Sequence, residues 1–413
     1  MNEITLSEDQ EKAYKTIAEW FANGGCVHPL QKNPGLLTLA GFGGVGKTEL
    51  VSLLIKEFSS SIRFACCALS GKAASVLMEK LKDKGVVFSE ESHYCGTIHR
   101  LIYKPVENDK GEIIYWAKKE KLEYDLIVLD EASMISEDIF MDLSSYGIDI
   151  LAVGDHGQLS PIEGKFCLMK EPHIRLEKIH RQAENNPIIA LSMQIRQDGK
   201  IPSNYKSNEK VKIIKKYEYL DYLHSEYRHM QDPKKTLDKV VLCYKNATRA
   251  SLNNIIRKSI FGKSIKEPLI NDVIICLKNS IKKKKQPLYN GFRGYITSAF
   301  EEFGDHFYEG KVKFPFESLD MFLFDICKYQ FGYQKTFSSF DELYNFGLIP
   351  KHWEEVGLLF DWAYAITVHK SQGSGFDNVI LFNERPAPVD DDTYKRWCYT
   401  AVSRSSDKLT IIL

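Results

Sequence analysis

Gly41-Phe42-Gly43-Gly44-Val45-Gly46-Lys47-Thr48 fits the pattern G-x-x-x-x-G-K-[ST], and its flanks come in the order that pattern requires. Leu36-Leu37-Thr38-Leu39-Ala40 before it is an apolar run of buried-strand type. Glu49 to Phe58 after it carries apolar residues at helical spacing. Strand, glycine loop and helix together make an anion site. The glycines let backbone N–H groups face phosphates, the helix N-terminus adds positive dipole, and Lys47 reaches the outer phosphate oxygens. Thr48 is the natural magnesium ligand of such a loop. Gly41, Gly43, Gly44, Val45, Gly46, Lys47 and Thr48 are therefore the nucleotide-binding candidates. A loop alone implies nucleotide binding and leaves open the work done with it.

The chain has 413 residues, enough for two or three domains. With 44% apolar and 27% charged residues it has a globular composition. No apolar run approaches the ~20 residues of a membrane span, and Met1-Asn2-Glu3-Ile4-Thr5 lacks the basic and apolar regions of a signal peptide. A cytoplasmic protein is the expectation. The 9 cysteines form no C-x-x-C pair and no Cys/His run at zinc spacing, and they read as reduced and mostly buried. Lys+Arg and Asp+Glu are equal at 55 each, so contact with a polyanion must come from local placement. Lys282-Lys283-Lys284-Lys285 and the stretch with Arg249, Arg257, Lys258, Lys263 and Lys266 are the two basic places. A solvated loop fits the lysine run at least as well.

Outward from the loop, Leu6 to Phe21 reads as a Ser7-capped amphipathic helix. Gln10 in its first turn suits a solvated amide as well as a reader of an adenine edge. Ile62–Leu69 is a second buried strand, and Ser70-Gly71-Lys72-Ala73-Ala74 opens a helix that could hold a backbone phosphate or be merely capped. Thr97-Ile98-His99-Arg100-Leu101 begins a short helix, where His99 taken alone reads more readily as structural than as catalytic. Asn108-Asp109-Lys110-Gly111 between two β-prone runs signals a hairpin, with Tyr115 and Trp116 on its second arm.

Leu126-Ile127-Val128-Leu129-Asp130-Glu131 is an apolar strand ending in two acids, one for the metal shell and one to orient and deprotonate water. That pair points to hydrolysis. A further strand, Ile148 to Val153, runs into Gly154-Asp155-His156-Gly157-Gln158-Leu159, where Gln158 is placed to sense a γ-phosphate, though a plain loop fits the hexapeptide in isolation about as well. The α/β pattern restarts after Ile174 with a strand at Lys239–Tyr244, a helix at Asn246–Phe261, and strands near Ala363–Thr367, Asn378–Phe382 and Leu409–Leu413. Residues 266–360 differ, being aromatic-rich with short β-prone runs, and read as an inserted β-containing module.

Taken in order, these motifs resemble the superfamily 1 DNA helicases of the RecD and Dda type. They add His180-Arg181-Gln182, Thr367-Val368-His369-Lys370-Ser371-Gln372-Gly373-Ser374 and Tyr399-Thr400-Ala401-Val402-Ser403-Arg404 to the stretches above. The resemblance runs from Gln10 to Arg404 and is weakest across 200–238 and 266–360. It implies an α/β fold of two RecA-like parallel-sheet domains: 1–175, with a strand-separating hairpin insert at 101–120, and 176–265 plus 361–413, interrupted by an SH3-like β insert at 266–360.

The resemblance also implies ATP and Mg²⁺ as cofactors and assigns roles. Gln10 and Gly373 join the nucleotide set. Thr48 and Asp130 hold the metal, and Glu131 holds the lytic water. Lys47, Gln158, Arg181 and Arg404 act on the phosphates. Ser70, Lys72, His99, Lys245, Asn246, Thr367 and His369 contact single-stranded DNA, and Tyr115 and Trp116 part the strands. The implied activity is a monomeric ATP-driven DNA helicase moving 5′ to 3′ in replication, recombination or repair. Its partners would be single-stranded DNA, single/double-strand junctions and proteins such as a single-strand-binding protein. Many relatives carry Glu after the serine matching Ser374. Gly375 stands here, which puts the expected ribose contact and nucleotide specificity in question. A translocase that displaces proteins, or an ATP-gated DNA-binding subunit of a larger complex, stays open as an alternative.

Overall fold

A computed structural model describes the chain except residues 1–5, 25–34, 70, 89–91, 108–112, 160–165, 179–185, 229, 231, 279–287, 289, 318, 338–339, 346 and 348–356. Two compact units emerge. The first comprises Met1–Val106, Tyr115–Lys200 and Lys395–Ser403; the second comprises Glu107–Ile114, Ile201–Tyr394 and Arg404–Leu413.

In the first unit the strands are β1 (Leu36–Gly41), β2 (Phe64–Ala68), β3 (Tyr94–Thr97), β6 (Leu126–Leu129), β7 (Asp149–Gly154) and β8 (Ile174–Leu176), ordered β3-β2-β6-β7-β1-β8. Every pair in that sheet is parallel. β1, β2 and β6 are buried along their whole length, as a sheet covered on both faces requires. Side chains alternate between the faces. Leu36, Ala65, Ile127 and Ile150 pack with Ile98, Leu101 and Leu143 on one side. Phe64, Val128 and Leu151 face Ile17 and Trp20 of helix α1 (Glu8–Ala22) and Leu54 of helix α2 (Lys47–Phe58) on the other.

Helices α3 (Gly71–Asp83) and α4 (Ile98–Ile102) follow β2 and β3. The expected hairpin is present as β4 (Tyr103–Glu107) paired with β5 (Ile113–Lys118). This unit extends past residue 175 through the helix Pro187–Asp198, where the Asn186 side chain accepts from Ile188 N–H and Gly199 stops the helix at φ 76°.

The second unit repeats the plan. β9 (Val211–Ile214), β10 (Lys239–Cys243), β17 (Ala365–Thr367), β18 (Phe376–Phe382) and β19 (Ser405–Ile412) form a parallel sheet ordered β17-β10-β18-β19-β9. Between β10 and β17 the chain builds the antiparallel module expected there. Its strands are β11 (Val273–Cys276), β12 (Arg293–Ile296), β13 (Glu301–Phe303), β14 (Phe307–Phe314), β15 (Leu319–Cys327) and β16 (Phe360–Trp362).

The basic stretch on the helix Asn246–Phe261 is corrected by the fold. Arg249 is 7% exposed and pairs with Asp361, and Arg257 is 3% exposed and pairs with Asp272 at 2.8 Å, so neither guanidinium is free to meet a polyanion. Charge patterning could not foresee this, because both acids arrive from the far end of the β insert or its start. The lysine run 282–285 lies outside the described residues. All eight described cysteines are free thiols, most of them buried. No helix among the described residues is long and apolar enough to cross a membrane.

Candidate nucleotide and nucleic-acid site

Ligands of open parallel sheets bind beyond the carboxyl ends of the strands. In the first unit β6, β7 and β1 are neighbours, and their carboxyl ends carry Asp130-Glu131, Gly154–Leu159 and the glycine loop. The sheet order thus assembles three motifs that are far apart in sequence.

The loop leaves β1 at Gly41, where a Cβ would sit 2.6 Å from Val45 Cγ2 and 3.1 Å from the Leu176 carbonyl, so only glycine fits. It enters α2 through Gly46 at φ 78°, a left-handed position that presents the helix N-terminus to the loop. Lys47 Nζ donates to the Gly41 carbonyl at 2.7 Å and the Phe42 carbonyl at 3.0 Å, which holds the ammonium inside its own loop. Gln10 is 1% exposed, and its Nε2 donates to the Val45 carbonyl at 3.2 Å. The first-turn amide of α1 therefore belongs to the loop and is not solvated.

Asp130 and Glu131 follow directly on β6. Asp130 N–H donates to the Cys67 carbonyl at 2.8 Å, and Glu131 N–H donates to Asp130 Oδ1 at 3.0 Å. Burial, then the charge of Glu131, raises the Asp130 carboxyl to about 6; the Glu131 N–H bond and the charges of Lys47 and Lys80 oppose the rise. Glu131 sits in the left-handed region at φ 54°, ψ 37°. A non-glycine residue there stores on the order of 1–3 kcal/mol, a strain that clusters at functional sites.

Beyond β7, Asp155 is 3% and Gln158 5% exposed. Asp155 Oδ1 accepts from Gly157 N–H at 2.8 Å, and Oδ2 accepts from Gln158 Nε2 at 3.4 Å. Three buried polar atoms around these strand ends, Ser133 Oγ, His156 Nδ1 and Gln158 Oε1, have no hydrogen-bond partner. Leaving such atoms unpaired costs about 1–3 kcal/mol each. A polar ligand, metal or water at this edge relieves that cost, so the donor set fits a magnesium nucleotide.

The DNA-contact candidates also lie at carboxyl ends. In the first unit Lys72 is in the opening turn of α3, and His99 is the second residue of α4, half-buried, its basicity lowered by burial. In the second unit Lys245 and Asn246 follow β10 while Thr367 and His369 follow β17, its sheet neighbour, and the His369 ring meets Tyr244 edge-on at 5.8 Å. Burial lowers the His369 pKa too. The structure thus groups these four. It also adds Glu384, which sequence reading missed: its Oε1 accepts from Tyr244 N–H and Lys245 N–H at 2.8 Å each, and its Oε2 accepts from Thr248 Oγ1 at 2.8 Å. An acid at a helix N-terminus suits the dipole. Only its distance in sequence hid it.

Arg404 is 5% exposed, and its Nη1 donates to the Ser374 carbonyl at 3.3 Å. Gly373 turns the chain at φ 69° after the helix Val368–Ser371. At Gly375 a Cβ would meet nothing nearer than the Arg404 carbonyl at 4.0 Å, so the missing side chain is not enforced by crowding. Tyr115 and Trp116 lie in β5. Ser70 and Arg181, and the side chains of Lys72, Tyr115 and Trp116, fall outside the described positions. Tyr399 and Thr400, quoted within a motif but given no role, turn out to touch the β7 loop.

Residues 26–216 match the AAA domain family and residues 362–412 the UvrD-like helicase C-terminal domain. The chain is similar to the RecBCD enzyme subunit RecD of Buchnera aphidicola, 27% identical over 93% of this chain and 72% of that one. It is also similar to the ATP-dependent DNA helicase Pif1 of Campylobacter jejuni, 23% identical over 90% of this chain and 87% of that one. A solved structure of two coordinating Pif1 helicases at forked double-stranded DNA superposes with a TM-score of 0.51 at 18% identity, covering 99% of this chain and 92% of that one. At that identity the likeness carries the fold.

Proposed function

We propose that the chain is a superfamily 1 helicase of the RecD and Pif1 type that hydrolyses ATP to travel 5′ to 3′ on single-stranded DNA and unwind the duplex ahead of it, a reading supported by the family models and relatives it matches. The observation that carries the reading is the adjacency of β6, β7 and β1, which gathers the glycine loop, the acid pair and Gln158 at one sheet edge. ATP would lie on the loop N–H groups and Lys47, with Gln10 at the base side and Gly373 completing the nucleotide set. Thr48 and Asp130 would hold Mg²⁺, which neutralises charge on the phosphate oxygens. Glu131 orients and deprotonates the attacking water, and the unpartnered Gln158 Oε1 is free to take a hydrogen bond from it. Arg181 and Arg404 are the proposed cationic partners of the transferred phosphoryl, a role worth ~10³–10⁵ in rate.

Residues 1–200, the expected 1–175 extended by the helix Pro187–Asp198, would form the first motor domain together with Lys395–Ser403, with 101–120 as the pin and Tyr115 and Trp116 at the parting bases. Residues 201–265 and the rest of 361–413 would form the second, with 266–360 inserted. Ser70, Lys72, His99, Lys245, Asn246, Thr367 and His369 would track single-stranded phosphates and bases, which suits a motor that steps on any sequence. The protein would work as a monomer at single/double-strand junctions in replication, recombination or repair, beside a single-strand-binding protein. Gly375 would leave nucleotide choice loose.

Unwinding of 5′-tailed and 3′-tailed duplexes tests the proposal, with Lys47→Ala as control. ATP-dependent opening of the 5′-tailed substrate alone is expected, and opening of the 3′-tailed one reverses the assigned direction. The Buchnera relative is named as a subunit of an enzyme complex. That favours one second reading, an ATP-gated subunit that is inactive until its partners are added.

A further inference from the structure

The helix Asp391–Val402 is fully buried through its last turns, with Trp397, Cys398, Thr400 and Ala401 at 0% exposure. Polar groups in such a helix need partners. On one face, at i, i+3 and i+4 spacing, Arg396, Tyr399 and Thr400 all end on the loop that closes β7. Arg396 Nη1 donates to the His156 carbonyl at 2.8 Å and the Gln158 carbonyl at 3.3 Å. Thr400 Oγ1 accepts from Leu159 N–H at 3.0 Å. Tyr399 Oη donates to Asp155 Oδ2 at 2.6 Å and, in the other direction, accepts from Gly43 N–H at 3.0 Å. One hydroxyl thus joins the glycine loop to the loop that carries Gln158.

Packing does not demand that hydroxyl. Tyr399 already meets Phe42 edge-on at 6.0 Å through its ring, which a phenylalanine would reproduce. What the oxygen fixes is Asp155, and Asp155 in turn is the tether of Gln158 through the longer bond at 3.4 Å. We infer that Tyr399, braced by Arg396 and Thr400, is a positioning residue for hydrolysis: its hydroxyl locks the phosphate loop to the Asp155 carboxylate and so orients Gln158 at the reacting phosphate. The inference rests on the hydrolytic reading of the site.

The test is steady-state hydrolysis by the full chain with saturating single-stranded DNA and varied ATP, for the parent, Y399F, D155N and the double variant. Y394F is the control on the same helix, because Tyr394 Oη donates instead to Asn383 Oδ1 at 2.9 Å. Y399F is expected to lower kcat about 10- to 100-fold, the size of effect that slight misplacement of a reacting group produces. KM for ATP should stay within about twofold, since a group acting only at the transition state leaves ground-state binding alone. The Y399F and D155N losses should be non-additive, and Y394F should keep the parent kcat. Parent kcat in Y399F, a rise in KM alone, or additive losses overturn the inference. Absence of hydrolysis in the parent overturns the hydrolytic reading itself, and the inference with it. Should Y399F fail to fold, Thr400→Val must show the same kcat-selective loss, and parent kcat in that variant overturns the inference.

Discussion

Thr97 and Thr367 do the same work in the two parallel sheets. Each ends a strand that pairs with the preceding strand of its own parallel sheet, β3 with β2 and β17 with β10. Each then caps the next helix, its Oγ1 accepting from Arg100 N–H or Lys370 N–H at 3.4 Å. A histidine stands two residues on in both, His99 and His369. Replacing either threonine with alanine removes a cap worth about 0.5–2 kcal/mol. Urea unfolding should register that loss, and binding of single-stranded DNA should weaken with it, whereas serine at either position should restore both. Full DNA affinity in Thr97→Ala and Thr367→Ala would separate the caps from the DNA track.

Asp130 sets a pH dependence whose sign is fixed by its raised carboxyl. The fold favours the protonated form, so the nucleotide-free protein loses stability as pH rises from about 4 to about 6. Asp130→Asn should flatten that slope and raise stability at neutral pH by roughly 1–3 kcal/mol. Hydrolysis needs the ionised form, which a bound magnesium ion favours, so it should vanish in the variant at every pH. Thermal melts and rate profiles across pH check both halves.

Glu131 carries its strain in the left-handed region. Glu131→Gly should therefore stabilise the chain by about 1 kcal/mol while removing hydrolysis. Glu131→Gln keeps the backbone strain and should bind nucleotide normally, with hydrolysis reduced ~10²–10⁴-fold. Equal stability of the two variants would mean the backbone there is relaxed.

Arg249 and Asp361 tie the helix Asn246–Phe261 to β16 of the insert, and Asp361 is fully buried. Burial pushes the Asp361 carboxyl up, and the Arg249 charge pulls it down. Arg249→Ala leaves that acid unpaired and should cost about 3–5 kcal/mol, whereas the double change Arg249→Met with Asp361→Leu should cost far less. Denaturant midpoints decide it; a mild effect from the single variant would return Arg249 to the set of solvent-facing cations.

Local patterns in the sequence carried much of this. β1 and the glycine loop were readable because a two-sided buried strand and a left-handed Gly46 leave marks at adjacent positions. The placement of Asp130, Glu131 and Gln158 just past strand ends was readable because each follows a short apolar run. What could not be read were pairings over long separations. Glu384 reaches Tyr244, Asp361 reaches Arg249, and Tyr399 reaches Gly43, and nothing local distinguishes those side chains from solvated ones. Tyr399 had one faint signal: with Arg396 and Thr400 it makes a polar stripe on the last turns of a helix whose other residues there, Trp397, Cys398, Ala401 and Val402, are apolar.

Steady-state ATP hydrolysis by the purified chain, with and without single-stranded DNA, RNA or duplex DNA across a salt titration, tests the central claim most directly. Strong stimulation by single-stranded DNA, fading with salt as phosphate contacts are lost, is the predicted result. Hydrolysis indifferent to every nucleic acid, or stimulated most by RNA, would contradict a motor that runs on single-stranded DNA.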